Sequence, residues 1–123
     1  MIHLDTSFLI RGLQAGSSES ERLEAWTTAN ETFAMSSIAW TEFLCGPLDE
    51  TAVSLATVIV DRRMDYTTET ATLAAQLFNS TGRRRSSLAD CMIAAAAISD
   101  GAPIATSNPR DFARFERHGL EMA

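Results

Sequence analysis

Polar and apolar positions in this chain follow two rhythms in turn. Ile2 and Leu4 alternate as in a short buried strand, and Phe8, Leu9 and Leu13 then fall along one helix face. The opening stretch Met1-Ile2-His3-Leu4-Asp5-Thr6-Ser7-Phe8-Leu9-Ile10 therefore reads as a strand that ends on a carboxylate and turns directly into a helix. After a turn at Gly16-Ser17-Ser18, Ser18 with Glu21 three residues on has the form of a capping box for a helix to about Asn30. Thr32–Ser36 is strand-like, and Ser37–Leu44 is a helix stopped by Gly46-Pro47. Asp49–Val60 is a third amphipathic pattern, weakened by its β-branched residues. A short strand is expected near Arg63–Thr67, a helix over Thr68–Ser80 and a loop over Gly82–Ser87. The alanine-rich stretch Leu88–Ser99 is the next helix, and Pro103–Thr106 a strand. Asn108-Pro109 opens a short helix, and Gly119–Ala123 begins a final edge strand.

Strands alternating with helices across short turns predict an α/β fold, a three-layer α/β/α sandwich with a central, mostly parallel sheet. Without a repeat, low-complexity tract or linker, residues 1–123 are expected to form a single domain. The content of 46% hydrophobic and 21% charged residues suits a globular core. The longest apolar run, Met92–Ile98, is far short of the roughly 20 residues of a bilayer span. His3 and Asp5 interrupt what a signal peptide would need, so a cytoplasmic location without membrane association is expected. Cys45 and Cys91, isolated in apolar helical contexts, are read as small core residues.

Charge narrows the function. A net charge of −6 argues against indiscriminate binding to a polyanion, although a carboxylate cluster built to hold cations would itself contribute negative charge. All ten basic residues are arginine. Schiff-base chemistry, P-loop phosphate binding and lysine-assisted phosphotransfer are thereby excluded.

Four acids fall at element edges or in apolar settings: Asp5, Glu42, Asp90 and Asp111. Each has a structural explanation. Asp5 suits an N-cap, Asp90 suits a capping box with Ser87, Asp111 lies in the first turn after Asn108-Pro109, and Glu42 suits a solvated helix face. Together they carry more. Asp5, Asp90 and Asn108/Asp111 lie at the carboxyl side of a parallel sheet, where ligands bind. Asp90 precedes Cys91, Met92, Ile93 and four alanines, and Glu42 is flanked by Trp40, Phe43 and Leu44. A carboxylate in such surroundings is costly unless paired or bound to a cation. Arg62 and Arg63 offer enough charge to neutralise one of them, not all. The four are therefore read as gathered around a metal ion.

The ordered stretches His3-Leu4-Asp5-Thr6-Ser7, Thr41-Glu42-Phe43, Leu88–Ala95 and Ala105–Phe112 resemble those of PIN-domain proteins, specifically VapC-type toxins of bacterial toxin–antitoxin pairs. The resemblance covers nearly the whole chain. It implies a PIN-like fold and a magnesium-dependent endoribonuclease, with manganese as a substitute ion. Asp5 and Asp90 would match the principal metal ligands, with Glu42 and Asp111 as further catalytic acids. Where the family often has aspartate this chain has Asn108, which offers a neutral oxygen but less charge for a second ion. The resemblance also implies a cognate antitoxin and a homodimer.

The residue types suit that chemistry independently. Magnesium prefers oxygen ligands and keeps several waters, so one or two carboxylates plus phosphate oxygens suffice. A bound ion activates water and neutralises charge on phosphate. For RNA contacts the candidates are the basic loop Arg83-Arg84-Arg85, Thr6, Ser7 and Asn108, with Arg110 and Arg114 flanking Asp111. For the loop the alternative is a solvated turn, and for Thr6 and Ser7 it is helix capping. His3 is read as a packed strand residue and His118 as exposed. A haloacid-dehalogenase-type phosphatase would need an aspartate where Ser7 stands, and a receiver domain a lysine. The remaining competitor is a catalytically silent module whose acidic pocket receives a partner's basic side chain.

Overall fold

The structure, a computed structural model, describes residues 1–123. Four strands, β1 (Ile2–Leu4), β2 (Phe33–Ser36), β3 (Arg62–Met64) and β4 (Ile104–Ala105), form one sheet in the order β3-β2-β1-β4. Every pairing is parallel. The helices are α1 (Thr6–Gly12), α2 (Ser18–Thr28), α3 (Ser37–Leu44), α4 (Glu50–Ile59), α5 (Thr68–Ser80), α6 (Leu88–Ser99) and α7 (Pro109–Phe112). Two 3₁₀ segments, Arg85–Ser87 and Ala113–His118, complete the chain. No helix is long and apolar enough to cross a membrane.

Register assigns the layers. Ile2 pairs with Phe33 and Leu4 with Ala105, so their side chains share one face. Phe33 there meets Trp26 of α2, whose ring also packs on Phe8. Arg63, the register partner of Met35, lies over Trp40 of α3 on the same side. His3, Ala34, Arg62 and Ile104 share the other face, where α6 lies. There the buried His3 ring meets Asp100, the C-cap of α6, at 2.9 Å, and Arg62 donates to both Asp100 oxygens at 2.9 and 2.8 Å. Burial holds the His3 imidazole below its ordinary pKa despite that carboxylate. This α/β/α sandwich is the predicted fold class, with a wholly parallel sheet.

The chain runs from β1 to β2 to β3 in one direction and then returns past both to place β4 beside β1. The boundary between β1 and β4 is therefore the topological switch point, where the two crossover directions leave a crevice at the strand ends. Asp5 follows β1 there, and Thr106 follows β4.

Several local expectations shift. Ser17, not Ser18, caps α2, accepting from the Ser20 amide, so Glu21 completes no capping box. Ser87 caps nothing; its hydroxyl donates to the Arg84 carbonyl. Cys45 is exposed at the end of α3, where the helix stops and the chain leaves the core, whereas Cys91 is buried. Glu42 is exposed, because its neighbour Phe43 takes the core-facing position of α3. The final strand reduces to an isolated parallel bridge between Met122 and Ile104. His118 is half-buried rather than exposed, with a buried, unpartnered Nε2.

Candidate functional site

Asp5 holds the N-cap position of α1 with extended backbone angles, yet its side chain makes no capping bond. Ser17, Ser36, Asp49 and Thr67 cap their helices through their side chains in the usual way. The Asp5 carboxylate, only 5% exposed, instead receives two hydroxyls on one oxygen. Ser7 Oγ donates to Oδ2 at 2.7 Å and Thr106 Oγ1 donates to it at 2.8 Å. Both hydroxyls are themselves aimed by the loop after β4. The Ser107 amide donates to Ser7 Oγ at 3.1 Å, and the Asn108 amide donates to Thr106 Oγ1 at 3.0 Å. Two relays thus run from loop amides through hydroxyls to the same oxygen, and Asp5 Oδ1 accepts no hydrogen bond.

Asp90 lies in the first turn of α6. Burial first, and then the charges of Asp5, Asp111 and Glu42, push its carboxyl up to about 6, with Arg114 opposing. Asp5, Asp111 and Glu42 are therefore all within electrostatic reach of Asp90. Glu42 is reached from α1, where Thr6 Oγ1 shares its single proton between Glu42 Oε1 and the Ala39 carbonyl, each at 3.0 Å. Thr6 and Ser7 thus hold the acids rather than cap the helix. Asp111 and Asn108 are exposed, and the Asn108 side chain caps nothing. Arg83, Arg84 and Arg85 are exposed in the loop leading to α6, with Arg83 in the left-handed region at φ 54°.

A profile of the PIN domain matches residues 2–118. The chain belongs to the PIN-domain family. Its fold is similar to that of VapBC2 from Rickettsia felis bound to a DNA fragment from the promoter, at 20% identity and TM-score 0.75 over 100% of this chain and 98% of that one. It is similar to DNA-bound VapBC from Salmonella typhimurium, at 24% identity and TM-score 0.74 over 99% and 96%. It also resembles a toxin–antitoxin complex from Klebsiella pneumoniae, at 24% identity and TM-score 0.75 over 92% and 91%. At these identities the likeness shows the fold. A search of curated proteins finds no match.

In this PIN domain no three acidic, histidine or cysteine side chains converge closely enough to enclose an ion as they stand. The donor set nevertheless suits a hard divalent cation. It is all oxygen, it carries four negative charges against the single guanidinium of Arg114, and burial and mutual repulsion both show in the raised Asp90 carboxyl. Sequence reasoning missed Thr106 and Ser107 as site residues. No local signal marks them: Leu4 pairs with Ala105 across the β1–β4 boundary, and only that long-range pairing makes the next residues, Asp5 and Thr106, neighbours. A cavity of about 690 Å³ lies elsewhere, between α1, α2 and α4, and none of the four acids lines it.

Proposed function

We propose that this PIN-domain chain is a divalent-metal-dependent endoribonuclease, the toxin of a toxin–antitoxin pair. The observation that carries the reading is the Asp5 carboxylate, withheld from helix capping and held by Ser7 and Thr106 beside an Asp90 whose ionisation burial and the surrounding acids oppose. Asp5 and Asp90 are the residues that would hold magnesium or manganese, with Glu42 and Asp111 completing the acidic set. When bound, the ion would supply an activated water and neutralise charge developing on the scissile phosphate. The chain's own part is positional. Ser7 and Thr106 lock the Asp5 rotamer, Thr6 restrains Glu42, and Asn108 and Arg83-Arg84-Arg85 offer contacts to the RNA backbone.

The VapBC complexes support an antitoxin as partner. The groove between α1, α2 and α4, lined by Leu13, Leu23, Leu55, Val58 and Ile59, offers apolar surface for such a segment. A homodimer belongs to the same reading.

The test is cleavage of a mixed transfer-RNA and messenger-RNA pool by purified protein with magnesium, with chelator, and with Asp5→Asn. Cleavage abolished by both chelation and substitution is expected. A second reading has its own observation: Arg114 already brings a guanidinium to 3.8 Å from Asp90, so the acidic pocket accepts a basic side chain. Metal binding without cleavage by folded, antitoxin-free protein would favour that binding-only module.

A further inference from the structure

Nine of the ten arginines are exposed; Arg114 is the exception. Its side chain retains 20% of its accessibility and stands on the 3₁₀ segment Ala113–His118, directly after the helix that carries Asp111. The guanidinium carbon lies over the Phe115 ring, 4.7 Å from its centroid, a cation–π contact. Its nearest anion is Asp90, with Nη2 3.8 Å from Oδ2, an ion pair too long for a hydrogen bond.

The donors of Arg114 are unspent. Arg22 donates to the Ala123 carbonyl, Arg62 to Asp100 and Arg63 to the Val60 carbonyl. Arg114 donates to nothing, and its Nε is buried without a partner, leaving the terminal nitrogens as the accessible edge. The buried Nε is unmatched at a cost, and the accessible terminal nitrogens are free to receive an acceptor from outside. The crevice it faces already holds the acids, so that acceptor is an anion brought into the site with its own cation.

We infer that Arg114 is a phosphate-binding residue of this site, held in the metal-free protein as the counter-ion of Asp90. The inference rests on reading the acidic cluster as a divalent-metal nuclease site. Cation binding at Asp90 weakens the hold on the guanidinium, and a phosphodiester oxygen then takes its donors. Arg114 therefore has opposite effects on the two ligands. It competes electrostatically with the metal and it attracts the RNA.

The experiment measures Mn²⁺ binding by calorimetry at pH 8 without RNA, and RNA cleavage at saturating Mn²⁺, for wild type, Arg114→Gln, Arg114→Lys and Arg117→Gln. Arg117 is an exposed arginine on the same segment and serves as the control. For Arg114→Gln, Mn²⁺ binding is expected to tighten about fivefold, as removal of a nearby like charge at intermediate dielectric implies. Its cleavage at saturating metal is expected to fall by about tenfold or more, the size of a missing charge-assisted hydrogen bond. Arg114→Lys is expected to restore the wild-type Mn²⁺ affinity and part of the cleavage, and Arg117→Gln to match wild type in both. A merely structural role would weaken both ligands together. Arg114→Gln with wild-type metal affinity and wild-type cleavage, or loss of both functions in Arg114→Gln and Arg114→Lys alike, overturns the inference alone. Wild-type protein that binds no Mn²⁺ overturns the metal-site reading and this inference with it.

Discussion

Thr106 Oγ1 donates a 2.8 Å hydrogen bond to Asp5 Oδ2 across the β1–β4 boundary, joining residues 101 positions apart. The bond is buried, and it sits where the sheet reverses its winding direction. It converts a carboxylate at a strand end into one with a fixed rotamer and one free oxygen.

Thr106→Val removes that donor while keeping the side-chain shape. Asp5 retains Ser7, so the fold is expected to survive with a loss of about 1 to 3 kcal/mol, because the Asn108 amide loses its acceptor along with Asp5 losing a donor. Mn²⁺ affinity is expected to fall roughly 10- to 100-fold, as for other partners that orient a metal ligand. Thr106→Ser is expected to stay near wild type. Calorimetry with Mn²⁺ and urea denaturation in chelator separate the two effects.

Asp90→Asn is expected to stabilise the metal-free protein. The folded-state carboxyl titrates near 6 against an ordinary 3.8, so ionising it opposes folding. The cost is absent below the unfolded pKa, grows between about pH 4 and 6, and is fully present above that, at on the order of 3 kcal/mol. Urea denaturation in chelator across pH 4 to 8 is the measurement. The gain from Asn is expected at pH 8 and absent at pH 4, and saturating Mn²⁺ is expected to favour the wild type instead.

His3, Asp100 and Arg62 tie β1 and β3 to the end of α6. Burial lowers the His3 pKa, so the fold resists its protonation; the stability linked to neutral His3 is complete above its unfolded value near 6.5 and declines as pH falls through it. Asp100→Ala leaves the buried imidazole without its partner and is expected to cost about 1 to 3 kcal/mol. Arg62→Ala removes only a half-exposed, solvent-screened partner and is expected to cost less than about 1 kcal/mol. Urea titrations at pH 7.5 rank the two, and equal losses would contradict this division.

Replacing Arg83, Arg84 and Arg85 together by Gln is expected to leave thermal stability unchanged, because all three are exposed and form no ion pair. If the loop binds RNA phosphates, the affinity for a single-stranded oligoribonucleotide falls. The slope of its logarithm against log salt shrinks by roughly 0.7 for each phosphate that the loop no longer neutralises. An unchanged slope would leave the loop as a solvated turn.

Much of this protein was legible along the chain. The bounds of α3 and α5 follow from periodicity and stop signals confined to a dozen residues, and they stand at Ser37–Leu44 and Thr68–Ser80. The strand-then-helix rhythm dictates a parallel sheet, and the absence of lysine excludes whole classes of chemistry. Local ambiguity explains the shifted cap of α2: Ser17, Ser18 and Ser20 are close competitors, and one hydrogen bond decides among them.

What only the tertiary structure decided is pairing at a distance. No local signal says that β4 returns to the β1 edge, because strand order depends on which crossover buries more apolar surface. Once it does, Thr106 becomes a partner of Asp5, and Arg114 a partner of Asp90. Asp5 itself shows the division: its position as an N-cap was written in its neighbours, but its release from capping came from two hydroxyls, Ser7 nearby and Thr106 far away, brought together by the sheet. Sequence determines what each segment prefers to be, while the long-range fold determines which charges must face one another.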